Sequence, residues 1–304
     1  MTIAGLKILL IRSAYVLIVL AVLPLIIWNG FIQQAGAQWN DLLLRMRGTQ
    51  TTPATSQIVL LAIDDRTVAQ YGPLPLNRAT LATGLEALAE GRPRVLAVDL
   101  LIAEPGEPRA DDRLRRALHS FPNVVLGAAL ESDADLSPRW IMPIPAVAEG
   151  HSIAHVHAAP DPDGNVRAVL LRKEGAGRRL WALGLEAVRL AISADRPLEA
   201  NDSIVLGSIH IPAAERDMRS MLVHYAGPEG VFPRVSFMSL LAGSADPSVF
   251  RDKIVILGVT AQGSGDRLFT PVFERHRDER NRDSRKCHPN HPRWGVPSAC
   301  RRSG

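Results

Sequence analysis

The chain has 304 residues, 46% of them hydrophobic and 22% charged, with a formal net charge of +4. That apolar content suffices to bury a core and excludes an intrinsically disordered chain, while the length suits either two average domains or one larger α/β domain with an anchor. The positive charge leaves no nucleic-acid footprint: from Glu274 onward nine Lys or Arg stand against four Asp or Glu, the remainder carries −1, and no basic stripe is interleaved with aromatics.

From Ser13 to Ile32 the chain is almost continuously apolar. As a helix its roughly twenty residues would reach about 30 Å, the thickness of bilayer hydrocarbon, which predicts a single transmembrane helix. Lys7 and Arg12 precede this run and no charge follows it before Asp41. The positive-inside tendency therefore predicts a cytoplasmic N-terminus and a body outside the cytoplasm. Trp28 and Trp39 suit the outer interface, and Pro24 is tolerable within a membrane helix. Ala35-Gly36-Ala37 matches a signal-peptidase pattern, which leaves cleavage open, but the apolar run exceeds the usual signal core of about 7–15 residues. An apolar surface all round argues against a buried amphipathic helix.

Asp41 to Gln57 reads as a polar connection to the domain. Ile58–Ile63 then has the composition of a strand buried on both faces, ending at Asp64-Asp65. A loop with Gly72, Pro73 and Pro75 leads to a helix over Asn77–Glu90, capped by Asn77, closed by Gly91, and carrying Leu81, Leu85 and Leu88 on one face. Val95–Ile102 and Val124–Ala129 are further strand patterns around a short helix at Asp111–Leu118. This alternation predicts βαβ units and a mixed, largely parallel sheet. Beyond Pro138 come short strands at Ile153–Val156, Val166–Leu171, Ile204–Leu206 and Ile209–Ile211, and a helix at Trp181–Ile192. Strands at Met221–Tyr225 and Lys253–Gly258 follow, around a short helix near Ser236–Leu241. Both cysteines, Cys287 and Cys300, fall in the basic segment 274–304, and a cysteine-free body suits an oxidising compartment. Cys287-His288-Pro289-Asn290-His291 contains metal-binding residue types without the context of a closed zinc site.

Several features in order from about Asp41 to Phe273 carry a family resemblance. They are Ile63-Asp64-Asp65, Gly72-x-x-Pro75-x-x-Arg78, Val98-Asp99, Asp161-x-Asp163-Gly164-x-x-Arg167, Tyr225-x-Gly227, Phe232-Pro233-x-Val235-Ser236, Lys253 to Gly258, Gly265-Asp266 and Thr270-Pro271. As a set they resemble the CHASE domain of the second type, a cyclase- and histidine-kinase-associated sensory extracellular domain. The resemblance implies a sensor placed after one membrane helix and coupled to a cytoplasmic output domain such as a nucleotide cyclase or a kinase; it brings no catalytic residues. Two departures stand out. Leu74 and Leu76 occupy a turn that is tryptophan-rich in the family, and after Phe273 the charged run Glu274–Asp283 replaces the Gly-rich segment and returning membrane spans. The expected organisation is residues 1–40 as stub and anchor, 41–273 as sensory domain, and 274–304 as a disordered or out-of-frame tail in a sensor truncated before its output module.

Candidate ligand-binding residues are Asp64, Asp65, Arg78, Asp99, Arg167 and Asp266. The aspartates close or interrupt strands whose carboxyl ends line the usual crevice of an open α/β sheet, where carboxylates suit a cation or an amine. The alternative is that they cap helices and accept loop N–H bonds. Arg78 and Arg167 would pair with those carboxylates or hold an anion, Arg167 fitting a structural ion pair best. Asp161-Pro162-Asp163-Gly164 resembles part of a calcium loop, yet the twelfth position is Arg172 rather than Glu, so a turn is expected. His155 and His157 alternate along a strand and would face one side with His151 nearby, either as a metal or proton-sensing group or as a surface edge. Gly263 and Gly265 shape either the crevice or a turn.

No nucleophile elbow, phosphate loop, zinc-protease or kinase signature occurs. The leading expectation is a membrane-tethered sensor of an unknown small-molecule or ionic signal, without enzymatic activity or cofactor. It signals through a partner or by homodimerisation through the anchor. The alternatives are a periplasmic metal-dependent hydrolase using Asp64, Asp65 and Asp99, and a structural membrane adaptor.

Overall fold

The computed structural model describes residues 12, 15, 35–49, 52–131, 137–158, 160–262 and 270. The predicted membrane segment, Asp266, the two glycines beside it and the charged tail lie outside this set, apart from Arg12 and Tyr15, both helical. Among the described residues no helix is long and apolar enough to cross a membrane.

Residues 35–47 are helical (α1) and lead to a short helix α2 (Pro53–Gln57), so the expected polar connection is largely helical instead. Next come β1 (Ile58–Ile63), α3 (Asp65–Tyr71), α4 (Arg78–Glu90), β2 (Val95–Asp99), α5 (Pro108–His119), β3 (Val124–Glu131), β4 (Arg139–Ile141), α6 (Pro145–Ala148) and β5 (Ser152–His155). A more irregular region follows, with β6 (Ala168–Leu170), β7 (Arg172–Gly175), β8 (Arg178–Trp181), α7 (Leu183–Ala191), β9 (Leu198–Glu199), β10 (Ser203–Leu206), β11 (Ile209–Pro212) and β12 (Ser220–Leu222). β13 (Arg234–Ser236), α8 (Phe237–Leu241) and β14 (Ile254–Val259) return the chain to the main sheet.

That sheet has seven strands. β13, β1, β14, β2, β3 and β5 are parallel neighbours in that order, and β4 adds antiparallel pairing to the end of β3. β2 is buried from Val95 through Val98, as expected of a parallel strand covered on both faces. On one face Val59, Leu61, Ile63, Leu96, Leu126 and Leu257 meet the leucines of α4 and α5 and Phe237 of α8. The predicted stripe Leu81, Leu85 and Leu88 is buried there, each side chain contributing about 1.5–3 kcal/mol. The opposite face packs Val95, Ala97, Val125 and Ala154 against Ala187 of α7.

The segment between β5 and β13 builds smaller antiparallel pairings, β12 with β6, β7 with β8, and β11-β10-β9, around Leu171, Leu185, Ile204 and Leu206. Its ion pairs converge on Glu199, which is shared by Arg172, Arg179 and the buried Arg219.

Candidate functional site

In a parallel sheet every strand delivers its carboxyl end to one edge, where the loops diverge and leave a crevice. Here that edge bears a cleft of about 780 Å³. Its walls are mostly apolar, including Ile63 at the end of β1, Leu76 before α4, Leu101 and Ile102 after β2, and Val259 at the end of β14. Three polar side chains enter it: Asp99, Arg78 and His157.

Asp99 is the last residue of β2 and is exposed, its backbone opposite Gly258 of β14. Arg78 is the first residue of α4; its Nη2 donates to the Glu104 carbonyl at 3.0 Å and its Nε lies 3.4 Å from Asp111. Much of its charge is thereby engaged, and an incoming anion would have to compete with Asp111.

His157 lies two residues beyond the end of β5. Its Nε2 accepts from the Leu130 backbone N–H, so Nδ1 carries the proton of the neutral ring. Its backbone N–H donates to His155 Nδ1 at 3.3 Å, which puts the proton of the neutral His155 ring on Nε2. Burial, then His157 and Lys173, push His155 down to about 4. Burial and Lys173 lower His157 as well. The two rings stand 5.9 Å apart, so these histidines do share a side, but His155 is 1% exposed and belongs to the interior, not to a surface edge. His151 is separate and stacks on His119 at 4.8 Å.

Of the other described candidates, Asp64, Asp65 and Arg167 are not among the residues that line the cleft. Asp64 caps α3: its Oδ1 accepts from the Thr67 backbone N–H at 3.0 Å and from the Thr67 hydroxyl at 2.8 Å. Burial works to raise its pKa, and these bonds outweigh it and hold the carboxyl below its ordinary range. Asp65 Oδ1 accepts from the Gln262 backbone N–H at 2.7 Å. Both therefore serve the cap-and-loop role.

Arg167 pairs with none of Asp64, Asp65 or Asp99. It lies against α1 and the 161–165 turn, donating to Asp41 at 2.6 and 2.9 Å, to Asp163 at 2.6 and 3.0 Å, and to Asp161 at 2.6 Å. The turn itself closes with the Gly164 N–H on the Asp161 carbonyl at 2.7 Å, and Asn165 bonds Asp163, so this stretch is an arginine-bound turn and not a calcium loop. The guanidinium, with the Asn165 backbone N–H, drives the Asp163 carboxyl far below its usual range. Sequence reading missed Asp41, which it placed at the start of a connection; the helical spacing of Ala37, Asp41 and Leu44 was the available signal. His157 was noted in sequence but not joined to Asp99 and Arg78, because the path of the chain after β5 brings it there.

Among the described residues no group of three His, Cys, Asp or Glu is placed to hold a metal ion. The convergence of Asp64, Asp65 and Asp99 that a metal-dependent hydrolase requires is therefore not formed.

A largely parallel sheet with helices on both faces and an apolar crevice at its carboxyl edge defines the class as an open α/β domain. The model of the CHASE2 domain family matches residues 16–278, most of the chain, and the protein belongs to that family of extracellular sensory domains of signal-transduction proteins. No curated protein and no solved structure matches it.

Proposed function

We propose that this chain is the extracytoplasmic ligand-binding part of a bacterial membrane receptor, held in the inner membrane by residues 13–32 and exposing its α/β domain in the periplasm. The observation that carries the ligand-binding reading is the carboxyl-edge cleft, in which apolar walls surround Asp99, Arg78 and a neutral His157. The carboxylate of Asp99 enters the cleft from the end of β2, where it is exposed, and supplies the charge that selects a ligand. An exposed carboxylate in an apolar cleft favours a small amine with a hydrophobic body, its ammonium on Asp99 and an acceptor on the His157 Nδ1–H. Asp266 lies outside the described residues and remains a candidate at the same edge by its place after β14.

The test is a thermal-shift screen of the full chain in lipid nanodiscs against small amines, amino acids, organic acids and divalent cations, because a ligand that binds only the folded state raises apparent stability. The expected result is a shift with apolar amines that Asp99→Asn abolishes. A shift confined to acids or cations, or one unaffected by Asp99→Asn, would overturn the assignment.

A further inference from the structure

The wall of the cleft that follows β5 is the segment 156–158, with Val156, His157 and Ala158 all lining the space. Val156 is held as a strand residue is, its N–H donating to the Ala128 carbonyl of β3 at 3.1 Å. Beyond it the hold passes to imidazole. The Leu130 N–H of β3 donates to Nε2 of His157, and the His157 N–H donates to Nδ1 of His155 at 3.3 Å. Two backbone donors in series thus depend on ring nitrogens, where a sheet ladder uses carbonyls. A carbonyl accepts at any ordinary pH, whereas an imidazolium carries a proton on both nitrogens and accepts from nothing.

The surroundings let these rings charge only by leaving. His155 is 1% exposed, His157 is half-buried, and their centroids are 5.9 Å apart. Burial keeps both neutral, helped at His155 by His157 and at both rings by Lys173 of β7. Other charges on the neighbouring elements are engaged with one another. Glu186 and Arg189 of α7, which packs on β5, pair at 2.9 Å, and Arg189 also donates to Ser152. Glu131 of β3 pairs with Arg139 of β4 at 3.1 Å, and Arg179 of β8 with Glu174 and Glu199. Asp99 and Arg78, of opposite sign, share the cleft with His157. A group that is neutral in the closed arrangement and free to charge in the released one pulls the equilibrium toward release as the pH falls.

We propose that His155 and His157 form a proton-operated latch on the ligand cleft: as neutral rings they pin residues 156–158 to β3, and on protonation they release that wall. The chain then holds its ligand at neutral pH and loses it as the surroundings turn acidic. This rests on the reading of the cleft as the ligand site and adds the condition under which the site is formed. The release is local, because both bonds belong to one wall, while β1 and β14 at the centre of the sheet carry no histidine.

The test is hydrogen exchange read by mass spectrometry on the full chain in lipid nanodiscs, without ligand, at pH 7.5 and 5.0, each rate corrected for the pH dependence of free amides. With His155 pushed down to about 4 while closed and near 6.5 when released, this one ring shifts the opening equilibrium roughly 30-fold between the two conditions. The expected result is a loss of protection of that order at Leu130 and His157, with less than about a threefold change in β1 and β14. His157→Gln offers Leu130 an amide oxygen that does not titrate, and should keep that amide equally protected at both pH values. Unchanged protection of Leu130 in the parent, an equal loss across the whole sheet, or the same loss in His157→Gln overturns the latch. The first two outcomes are read on the parent chain and need no variant to fold. Because no ligand is present, the two readings fail separately. A released segment with no hit in the thermal-shift screen removes the ligand site, and a ligand found beside a pH-indifferent segment removes the latch.

Discussion

Arg167 and Asp41, 126 positions apart, meet in a two-point ion pair with contacts of 2.6 and 2.9 Å, both side chains nearly withdrawn from solvent. The same guanidinium holds Asp161 and Asp163, so one side chain fastens α1 to the turn that opens the second half of the fold. Arg167→Ala leaves Asp41 in a nearly buried setting without its cation, and the expected loss of stability is about 3 kcal/mol. Arg167→Lys restores the charge but not the planar fork, and should recover less than half of that loss. Urea unfolding of both variants checks the magnitude, and faster proteolysis within residues 35–52 checks the location.

Gly84 of α4 and Phe237 of α8 are in closest packing: a Cβ added to Gly84 would stand 2.1 Å from Phe237 Cζ. Phe237 is fully buried and cannot withdraw. Gly84→Ala improves helix propensity by about 1 kcal/mol but overpacks the core at a cost of about 1–3 kcal/mol or more. The net effect should be destabilising, seen as a lower Tm, and a second change, Phe237→Leu, should relieve part of it.

Asp64 and Asp99 both end strands but do different work. Asp64→Ala removes the cap of α3 and should cost about 1 kcal/mol without altering any ligand-induced thermal shift. Asp99→Asn should abolish that shift. Measuring both variants with and without ligand separates the roles.

The pH dependence follows from His155. Its folded pKa of about 4 lies below the usual value near 6.5, so between those two values the unfolded chain binds more protons than the folded one. Stability should be full above about pH 6.5 and fall as the pH drops toward 4, by on the order of 3 kcal/mol from this one group. His151 and His157 are lowered by burial too and act in the same direction. Thermal unfolding from pH 4 to 7.5 should show this slope, and His155→Leu should flatten it.

Much of this architecture was legible in the chain because local signals and tertiary structure agree. The apolar run Ile58–Ile63 is β1, and Asn77 caps α4 through a bond to the Ala79 N–H at 2.8 Å, as its position before a leucine stripe predicts. Elements whose stability comes from distant partners were less visible. α1 looked like a polar connection because what fixes its buried face is the Asp41 pair with Arg167, and β13 is a three-residue strand made by pairing with β1. The site divides likewise. Asp99 and Arg78 could be placed at the carboxyl edge from strand and helix boundaries alone, whereas Arg167 was drawn away by carboxylates that no sequence spacing brings together.

The central position of β14 has a consequence for biosynthesis. β14 lies between β1 and β2, so Ile58 and Val95, both made early, reach each other only through Ile254. A nascent chain that ends before residue 259 holds two sheet fragments with open, apolar edges facing a missing strand, the kind of surface that captures other chains. The sheet cannot be completed as the chain emerges; it closes in one late step that joins distant segments, and this makes folding slow. Until then the emerging polypeptide is a natural client for holding chaperones, and deletions from the C-terminal side should abolish folding abruptly once they reach Val259.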